Sequence, residues 1–238
     1  MFHVELAAPA HWLAAQLREL DFGFNRLGVD STPQQREQFS RYLSLLWREG
    51  QKFNLFSQKD LDRLTPRHIL ESVGWVFRLK RNLIGRAVDV GSGAGFPGIP
   101  LQILFPQLEL VLVESIAKKA RFLQLVLDEL DLKKATVVRE RVEVLAQDES
   151  FCHQFDLGFA RAVAPLPKLL GWSAPLFKKG AHFFAIKGGD LHRELKAVEP
   201  LVKSGKINLN LYDYFINFIS NREGFAERKI IEIEFRKE

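Results

Sequence analysis

The larger part of the chain is organised by a regular alternation of short apolar runs with amphipathic segments, which begins at Arg86. A short apolar run is typical of a buried strand, and an amphipathic segment between two such runs is typical of a crossover helix. The alternation therefore predicts a parallel sheet with helices on both faces. The predicted strands are RAVDV (86–90), LELVLVE (108–114), ATVVRE (135–140), FDLGFAR (155–161) and GAHFFAIKG (180–188). The predicted helices between them cover residues 96–105, 117–130 and 166–177.

The last forty residues predict a different connection. INLNLYDYFINF (207–218) and RKIIEIEF (228–235) are both typical of strands, and the segment from Asn221 to Gly224 is a turn between them. Two strands joined by so short a segment pair antiparallel. We therefore expect an antiparallel pair to close the sheet.

Residues 1–80 are predicted to form a helical cap, and residues 81–238 the α/β domain. Apolar residues recur three and four apart in HWLAAQLREL (11–20) and QFSRYLSLLWR (38–48). Pro33 fits the first turn of the second helix, and Gly50 marks its end. In the third segment, Thr65 is the predicted cap and Pro66 the predicted start. We expect Tyr42 and its apolar neighbours to be core packing, and the two parts to form one compact unit.

Composition excludes several classes of protein. The one cysteine, Cys152, cannot form an intramolecular disulfide or a multi-cysteine zinc site, and the histidines lack metal-ligand spacing, so we expect no metal. The chain contains no run of roughly 18–20 apolar residues, and its first residues lack a signal-peptide pattern. We expect a cytoplasmic protein without a membrane partner. A net charge of +5 favours a polyanionic partner.

The segment DVGSGAGFPGIP (89–100) joins the first predicted strand to the first helix and contains two overlapping glycine patterns. Gly93, Gly95 and Gly98 match the dinucleotide fingerprint of an NAD-dependent oxidoreductase. The alternative pattern, which begins at Asp89 and includes Gly91, suits S-adenosylmethionine. A carboxylate at this position would repel a pyrophosphate, whereas S-adenosylmethionine offers an ammonium and a sulfonium group.

Two prolines of the same segment, Pro97 and Pro100, remove backbone N–H donors that a pyrophosphate would use at a helix N-terminus. Both observations favour the methyl donor over the dinucleotide. Glu114, at the end of the second strand, is placed to accept hydrogen bonds from the ribose hydroxyls of either cofactor. The alternative for Glu114 is a surface ion pair with Lys118.

An ordered series of motifs resembles one known family. The motifs are KFNLFS, RHILES, DVGSGAGFPGIPL, VESIAKKARFL, RERVE, FARAVAPL and IKG, which together span residues 53–188. The chain resembles the bacterial ribosomal small-subunit RNA methyltransferase G family, also called glucose-inhibited division protein B. One departure is Glu71, where the family usually has an aspartate.

This resemblance implies a class I S-adenosylmethionine-dependent methyltransferase fold, Rossmann-like, with a mostly parallel seven-stranded sheet and an N-terminal helical extension. It also implies methyl transfer to N7 of one guanine in 16S ribosomal RNA. The partner would be that RNA or the small ribosomal subunit. The residues expected to contact the cofactor are Asp89, Gly91, Gly93, Gly95, Phe96, Glu114, Ser115, Ile116, Val142, Glu143 and Arg161.

Methylation of guanine N7 requires no general base, because N7 carries a free lone pair and no proton. Positioning is then the main contribution of the enzyme. Arg161 and Lys187 lie at the carboxyl ends of predicted strands and are the candidate catalytic residues, since Arg and Lys match the guanine O6 edge. The alternatives are an ion pair of Arg161 with an acid such as Glu143, and a solvated strand end for Lys187.

Five basic or titratable side chains are candidates for binding the RNA backbone: Arg67, His68, Lys118, Lys119 and Arg121. For the three on the predicted helix, the alternative is a solvated helix face. We expect a monomer. A non-catalytic RNA-binding module with a Rossmann fold is the third functional interpretation, beside the methyltransferase and the oxidoreductase.

Overall fold

The computed structural model describes residues 7–214 and 228–236. The helices are α1 (Ala10–Leu27), α2 (Pro33–Gly50), α3 (Glu71–Arg78), α4 (Gly98–Leu104), α5 (Ala117–Glu129), α6 (Val142–Leu145), α7 (Leu166–Ser173) and α8 (His192–Lys203). The strands are β1 (Arg86–Val90), β2 (Glu109–Val113), β3 (Ala135–Val138), β4 (Phe155–Arg161), β5 (Phe177–Gly188), β6 (Ile207–Tyr214) and β7 (Arg228–Phe235). A 3-10 helix (Gln58–Arg63) and a π-helix (Thr65–Leu70) precede α3, and a 3-10 helix (Ala174–Leu176) follows α7.

The second helix starts and ends where the sequence predicts. The Thr32 hydroxyl accepts a hydrogen bond from the Gln35 backbone N–H at 3.2 Å. In return, Gln35 Oε1 accepts one from the Thr32 N–H at 2.9 Å. This reciprocal pair is a capping box, which satisfies two otherwise free donors at the helix start. Pro33 occupies the first turn and Gly50 is the last helical residue.

The prediction that Thr65 caps the third helical segment is wrong. Its hydroxyl makes no capping bond, because the chain is already helical at Leu64 (φ −56°, ψ −48°). The hydroxyl oxygen is buried and has no partner among the described residues. The Thr65 backbone N–H is bound instead by Gln16 Oε1 of α1 at 2.9 Å, and Gln16 Nε2 donates to the Asp62 carbonyl at 3.0 Å. One buried amide of α1 thus ties down the irregular segment before α3.

The strands form a seven-stranded sheet in the order β3-β2-β1-β4-β5-β7-β6. The neighbouring pairs among β1 to β5 are parallel. Strand β7 is antiparallel to both β5 and β6 and lies between them. The predicted mostly parallel sheet, closed by an antiparallel pair, is confirmed. The predicted turn at Asn221 to Gly224 lies outside the described residues.

Each face of the sheet is covered by its own group of helices. Alternating β1 residues face opposite ways, so that Val88 and Val90 pack in a core with α7 and α8. Ala87 packs in a second core with the cap residues Phe39 and Leu46. A single hydrophobic core therefore joins the cap to the sheet. The division into 1–80 and 81–238 stays a prediction.

Helix α8 is the main element that the sequence does not predict. Its residues, HRELKAVEPLVK, contain a proline, Pro200, and one fully buried side chain, Val198. Within the described ranges, no helix has both the length and the apolar composition needed to span a membrane.

We predict that Gln16→Ala lowers the free energy of unfolding by about 1–3 kcal/mol, because it leaves the buried Thr65 N–H and the Asp62 carbonyl without partners. Urea unfolding measures the loss. Gln34→Ala is the control, since Gln34 is an exposed glutamine of α2. Equal stability of the two variants would contradict the assignment.

Candidate active site

The loop between β1 and α4 has a backbone that requires glycine at three positions. Gly91, Gly93 and Gly95 have φ angles of 69°, 59° and 96°, in the left-handed region that other residues rarely adopt. A Cβ on Gly91 would also lie 2.9 Å from Val163 Cγ2. The loop thus passes close to the chain that follows β4, and its three glycines fix a tight path at the carboxyl edge of the sheet.

Asp89 lies beneath this loop and has no solvent exposure. Its Oδ2 accepts a hydrogen bond at 3.0 Å from the Gly98 N–H, at the start of α4. A Cβ on Gly98 would lie 2.6 Å from the same oxygen. Burial raises the pKa of the Asp89 carboxyl to about 7, against the lowering effect of this hydrogen bond. Gly98 is therefore a glycine because the Asp89 carboxylate approaches it.

Glu114 follows β2 and binds the loop from the opposite side. Its Oε2 accepts a hydrogen bond from the Gly93 N–H at 3.0 Å, and its Oε1 accepts one from the Ile116 N–H at 2.7 Å. Each carboxylate oxygen keeps a second lone pair for a ligand. The alternative of a surface ion pair with Lys118 does not hold, because Glu114 is buried.

A cavity of about 200 Å³, here called the smaller cavity, opens beside Gly91 and Glu114. Five of the predicted cofactor residues line it: Gly91, Glu114, Ser115, Val142 and Glu143. Trp172 of α7 and Val163 also line it and were not predicted. The remaining predicted residues lie elsewhere around the loop: Asp89, Gly93, Gly95, Phe96 and Ile116 are not in the lining, and Arg161 lines a different cavity.

That second cavity, here called the larger cavity, has a volume of about 410 Å³ and shares Val163 with the smaller one. It brings together four residues that the sequence predicts, namely Arg67, His68, Arg161 and Lys187. It also contains charged residues that the sequence analysis missed: Asp60, Glu194 and Arg228. The two cavities meet at one side chain, so ligands in both would be neighbours.

Arg161 is held by the cap rather than by Glu143. Its guanidinium donates to the His68 carbonyl at 3.3 Å and to His68 Nδ1 at 2.5 Å, and Glu71 lies at 4.0 Å. The proposed alternative partner is wrong, since Glu143 pairs with Arg141 at 3.6 Å. No local pattern in the sequence indicates that the third cap segment reaches the end of β4.

His68 is neutral and its tautomer follows from its partners. A guanidinium can only donate, so Nδ1 of His68 must accept, and Nε2 carries the proton that faces Asp60 Oδ2 at 3.3 Å. Burial lowers the pKa of the His68 imidazole from 6.5 to about 4, which agrees with this assignment. Asp60 also pairs with Arg67 at 3.1 Å. The chain Asp60–His68–Arg161 thus orients Arg161 at the larger cavity.

Phe96 of the glycine loop packs against the same group. Its ring stacks on the His68 ring at 4.9 Å between centroids, and the Arg161 guanidinium lies 5.6 Å from its centre. Phe96 is 7% exposed. The loop therefore contacts the cap directly at His68, a residue that lines the larger cavity.

Lys187 forms a partly buried ion pair, with its Nζ 2.5 Å from Glu194 Oε2 and its side chain 10% exposed. The same Glu194 oxygen accepts a hydrogen bond from the Leu166 N–H at 2.6 Å, at the start of α7. The alternative of a solvated strand end for Lys187 is therefore wrong.

The predicted basic residues of α5 lie away from the larger cavity. Lys118 and Arg121 line a cleft with Lys52 and Phe53 of the cap, and Lys119 is half-buried next to them. The structure thus separates the predicted RNA-binding residues into two sets. Within the described residues, no group of three His, Cys, Asp or Glu side chains could hold a metal ion.

Comparison with known proteins identifies the family. The family described as rRNA small subunit methyltransferase G matches residues 35–218. A protein of that name from Carboxydothermus hydrogenoformans is 37% identical over 210 residues, which cover 87% of this chain and 86% of the relative. Another from Roseiflexus castenholzii is 41% identical over 168 residues, or 71% of each chain. The chain belongs to the rRNA small subunit methyltransferase G family.

Solved structures agree with this fold. The complex of Pyrococcus horikoshii TYW2 with MeSAdo has a TM-score of 0.53 and 14% identity, over 72% of this chain and 64% of that one. The precorrin-6y C5,15-methyltransferase from Geobacter metallireducens has a TM-score of 0.50 and 15% identity, over 77% and 91% of the two chains.

Membership of the methyltransferase G family confirms the predicted family, fold class and enzyme class, an S-adenosylmethionine-dependent ribosomal RNA methyltransferase. It favours that interpretation over the oxidoreductase suggested by Gly93, Gly95 and Gly98. It also favours an enzyme over a non-catalytic RNA-binding module.

We predict that Asp89→Asn stabilises the protein at pH 8 by up to about 4 kcal/mol and has little effect near pH 4. The folded-state pKa of Asp89, about 7, lies above the ordinary value of 3.8. Between these values the folded state holds a proton that the unfolded state releases, so the free energy of unfolding falls as pH rises through this window. Asparagine does not titrate, so Asp89→Asn does not lose stability in this way as the pH rises.

Urea unfolding of both proteins at pH 4.5 and pH 8, without cofactor, measures the effect. His68 changes the free energy of unfolding with pH in the opposite direction, because its pKa is lowered in the folded state. Both proteins contain His68, so the comparison between them removes its contribution. Asp30→Asn, at an exposed aspartate, is the control. An identical pH dependence in Asp89→Asn and the parent protein would refute the assignment.

Proposed function

We propose that this chain transfers a methyl group from S-adenosylmethionine to N7 of a guanine in 16S ribosomal RNA. The observation that carries this proposal is the pair of cavities that meet at Val163. One is bounded by the glycine loop and the Glu114 carboxylate, and the other by cationic side chains. A methyl donor in the first and a base in the second would lie next to each other.

The smaller cavity fits the cofactor chemically. Glu114 has free lone pairs for ribose hydroxyls, and Gly91 leaves space for a ligand close to the backbone. When bound, S-adenosylmethionine supplies an electrophilic methyl group on a sulfonium. The residues that we propose to hold it directly are Gly91, Glu114, Ser115, Val142 and Glu143, with Trp172 as a further wall.

The other predicted cofactor residues act around this cavity. Asp89, Gly93 and Gly95 fix the path of the loop from behind, and Ile116 donates its backbone N–H to Glu114. The Phe96 ring packs the loop against the cap. We propose these as residues that shape the site, since they do not line the cavity.

The larger cavity fits a guanine whose N7 is the nucleophile. The reaction at N7 releases no proton, so the residues need only to orient the base and exclude water. We propose that Arg161 donates to guanine O6, which leaves the N7 lone pair free. Lys187, held by Glu194 and α7, forms the far side of the cavity and supplies positive charge near a phosphate.

The RNA backbone is proposed to follow the basic residues outside the cavity. Arg67 lies at its rim, and Lys118, Lys119 and Arg121 form a second contact beside the cap. His68 is neutral at pH 7, so its contribution is to orient Arg161 rather than to attract phosphate. The substrate would be 16S RNA, either free or in the small subunit. The protein would act on it in the cytoplasm as a monomer, with the cap and the α/β domain forming one unit.

We predict that Gly91→Asp weakens binding of S-adenosylhomocysteine by at least about tenfold, since the new side chain enters the smaller cavity near Glu114 and its Cβ meets Val163. Isothermal titration calorimetry measures it. Gly28→Asp is a matched control: Gly28 has φ 67°, close to the 69° of Gly91, and a Cβ there would meet nothing within 4 Å. Unchanged affinity in Gly91→Asp would show that the cofactor binds elsewhere.

We predict that 16S RNA transcribed with 7-deazaguanosine accepts no methyl group, because it lacks the N7 nucleophile. Transfer of tritiated methyl to this RNA and to ordinary 16S RNA measures the difference. Arg161→Ala should lower kcat/KM for ordinary RNA by about tenfold or more, as expected for loss of a base contact. Undiminished transfer to the deaza RNA would rule out N7 as the acceptor.

A further inference from the structure

The hydroxyl of Tyr42 reaches from the cap into the glycine loop. Tyr42 lies on α2 and has no solvent exposure. Its hydroxyl donates a hydrogen bond to the Ala94 carbonyl at 2.6 Å. Ala94 stands between Gly93 and Gly95, in the middle of the loop. The ring of Tyr42 is core packing, as the sequence suggests, but its oxygen makes a contact that packing does not require.

The loop backbone is shaped to receive this hydroxyl. A Cβ on Gly95 would lie 2.9 Å from the Tyr42 oxygen, so a side chain there would collide with it. The next residue, Phe96, packs its ring 5.8 Å from the Tyr42 ring. Burial, and then the nearby Asp89 carboxyl, raises the pKa of Tyr42 well above 10, so the hydroxyl keeps its proton. It is a permanent donor to the loop.

The helix that carries Tyr42 is anchored to the α/β domain independently of the loop. Gln35 Nε2 donates to the Ile103 carbonyl at the end of α4, at 2.8 Å. Gln38 Nε2 donates to the Leu130 carbonyl at the end of α5, also at 2.8 Å. Both bonds satisfy carbonyls that a helix end leaves free. These two bonds act together with the buried α2 side chains Phe39, Leu43 and Leu46, so neither bond alone determines the position of the Tyr42 hydroxyl.

Two adjacent loop residues are thus held by different parts of the protein. The Gly93 N–H is bound by Glu114 of the sheet at 3.0 Å, and the Ala94 carbonyl is bound by Tyr42 of the cap. Only the first of these contacts involves a residue that lines the smaller cavity. The second determines how the middle of the loop lies with respect to it.

We propose that Tyr42 is a positioning residue for the cofactor: it holds the Ala94 carbonyl, and with it the path of the loop that places the Gly91 backbone at the smaller cavity for S-adenosylmethionine. The inference rests on the proposed function, because it assumes that the cofactor binds at this loop. It makes the helical cap a component of the cofactor site as well as a surface for RNA.

The test is Tyr42→Phe, which keeps the ring and removes the hydroxyl. Titration calorimetry should show S-adenosylhomocysteine binding weakened about threefold to tenfold, the effect of one lost hydrogen bond that leaves a buried carbonyl without a partner. The KM for S-adenosylmethionine should rise by a similar factor. The KM for RNA should not change.

Gln38→Ala is the matched control, because it removes a hydrogen bond of the same kind from the same helix but at α5. It should lower the free energy of unfolding and leave cofactor affinity unchanged. Equal weakening of cofactor binding in both variants would mean that Tyr42 acts only through cap stability, and would overturn the proposal. A Tyr42→Phe protein that binds S-adenosylhomocysteine as the parent does would also overturn it.

Gly91→Asp separates this inference from the function on which it rests. Lost binding in Gly91→Asp with normal binding in Tyr42→Phe would overturn the role of Tyr42 alone. Normal binding in Gly91→Asp would overturn the cofactor site, and the role of Tyr42 with it. Lost binding in Gly91→Asp, together with selective weakening in Tyr42→Phe, would support both.

Discussion

The hydrogen bond from the Gly98 N–H to the buried Asp89 carboxylate is the constraint on which the site depends. It joins the end of β1 to the start of α4, so the eight residues between Asp89 and Gly98 must turn back within a short distance. Such a turn requires the left-handed backbone found at Gly91, Gly93 and Gly95. That turn leaves space above Glu114, and this space is the smaller cavity.

Periodicity in the sequence predicts what depends on local burial. Strands β1 and β4 match their predicted bounds, because a strand buried on both faces is a short and mainly apolar run. The amphipathic stripe of α5 likewise places that helix. Helix α8 escapes prediction, since half of its residues are charged or histidine and Pro200 interrupts its apolar pattern. Thr65 misleads, because a threonine before a proline is typical of a helix start and here lies within a helical segment.

Strand periodicity predicts the site only where its residues follow strands. Glu114, Arg161 and Lys187 come directly after or at the ends of parallel strands, which share one edge of the sheet. Arg228 was missed, because its place depends on β7 lying between β5 and β6, which pairs it with Gly188. Asp60 was missed for a similar reason. It comes from an irregular cap segment whose approach to Arg161 depends on tertiary packing rather than on any local pattern.

The backbone after β4 explains how one short segment serves both cavities. Ala162 has φ 53°, a conformation that costs a non-glycine residue about 1–3 kcal/mol and persists only where the surroundings impose it. Here the surroundings are strong: His68 and Glu71 hold Arg161 on one side, and Gly91 faces Val163 on the other. A regular strand would send these two side chains to the same face of the sheet, because they are two residues apart. The left-handed turn instead keeps Arg161 at the larger cavity and Val163 between the two. The cap that orients Arg161 and the loop that Tyr42 touches meet at His68 and Phe96, beside the larger cavity.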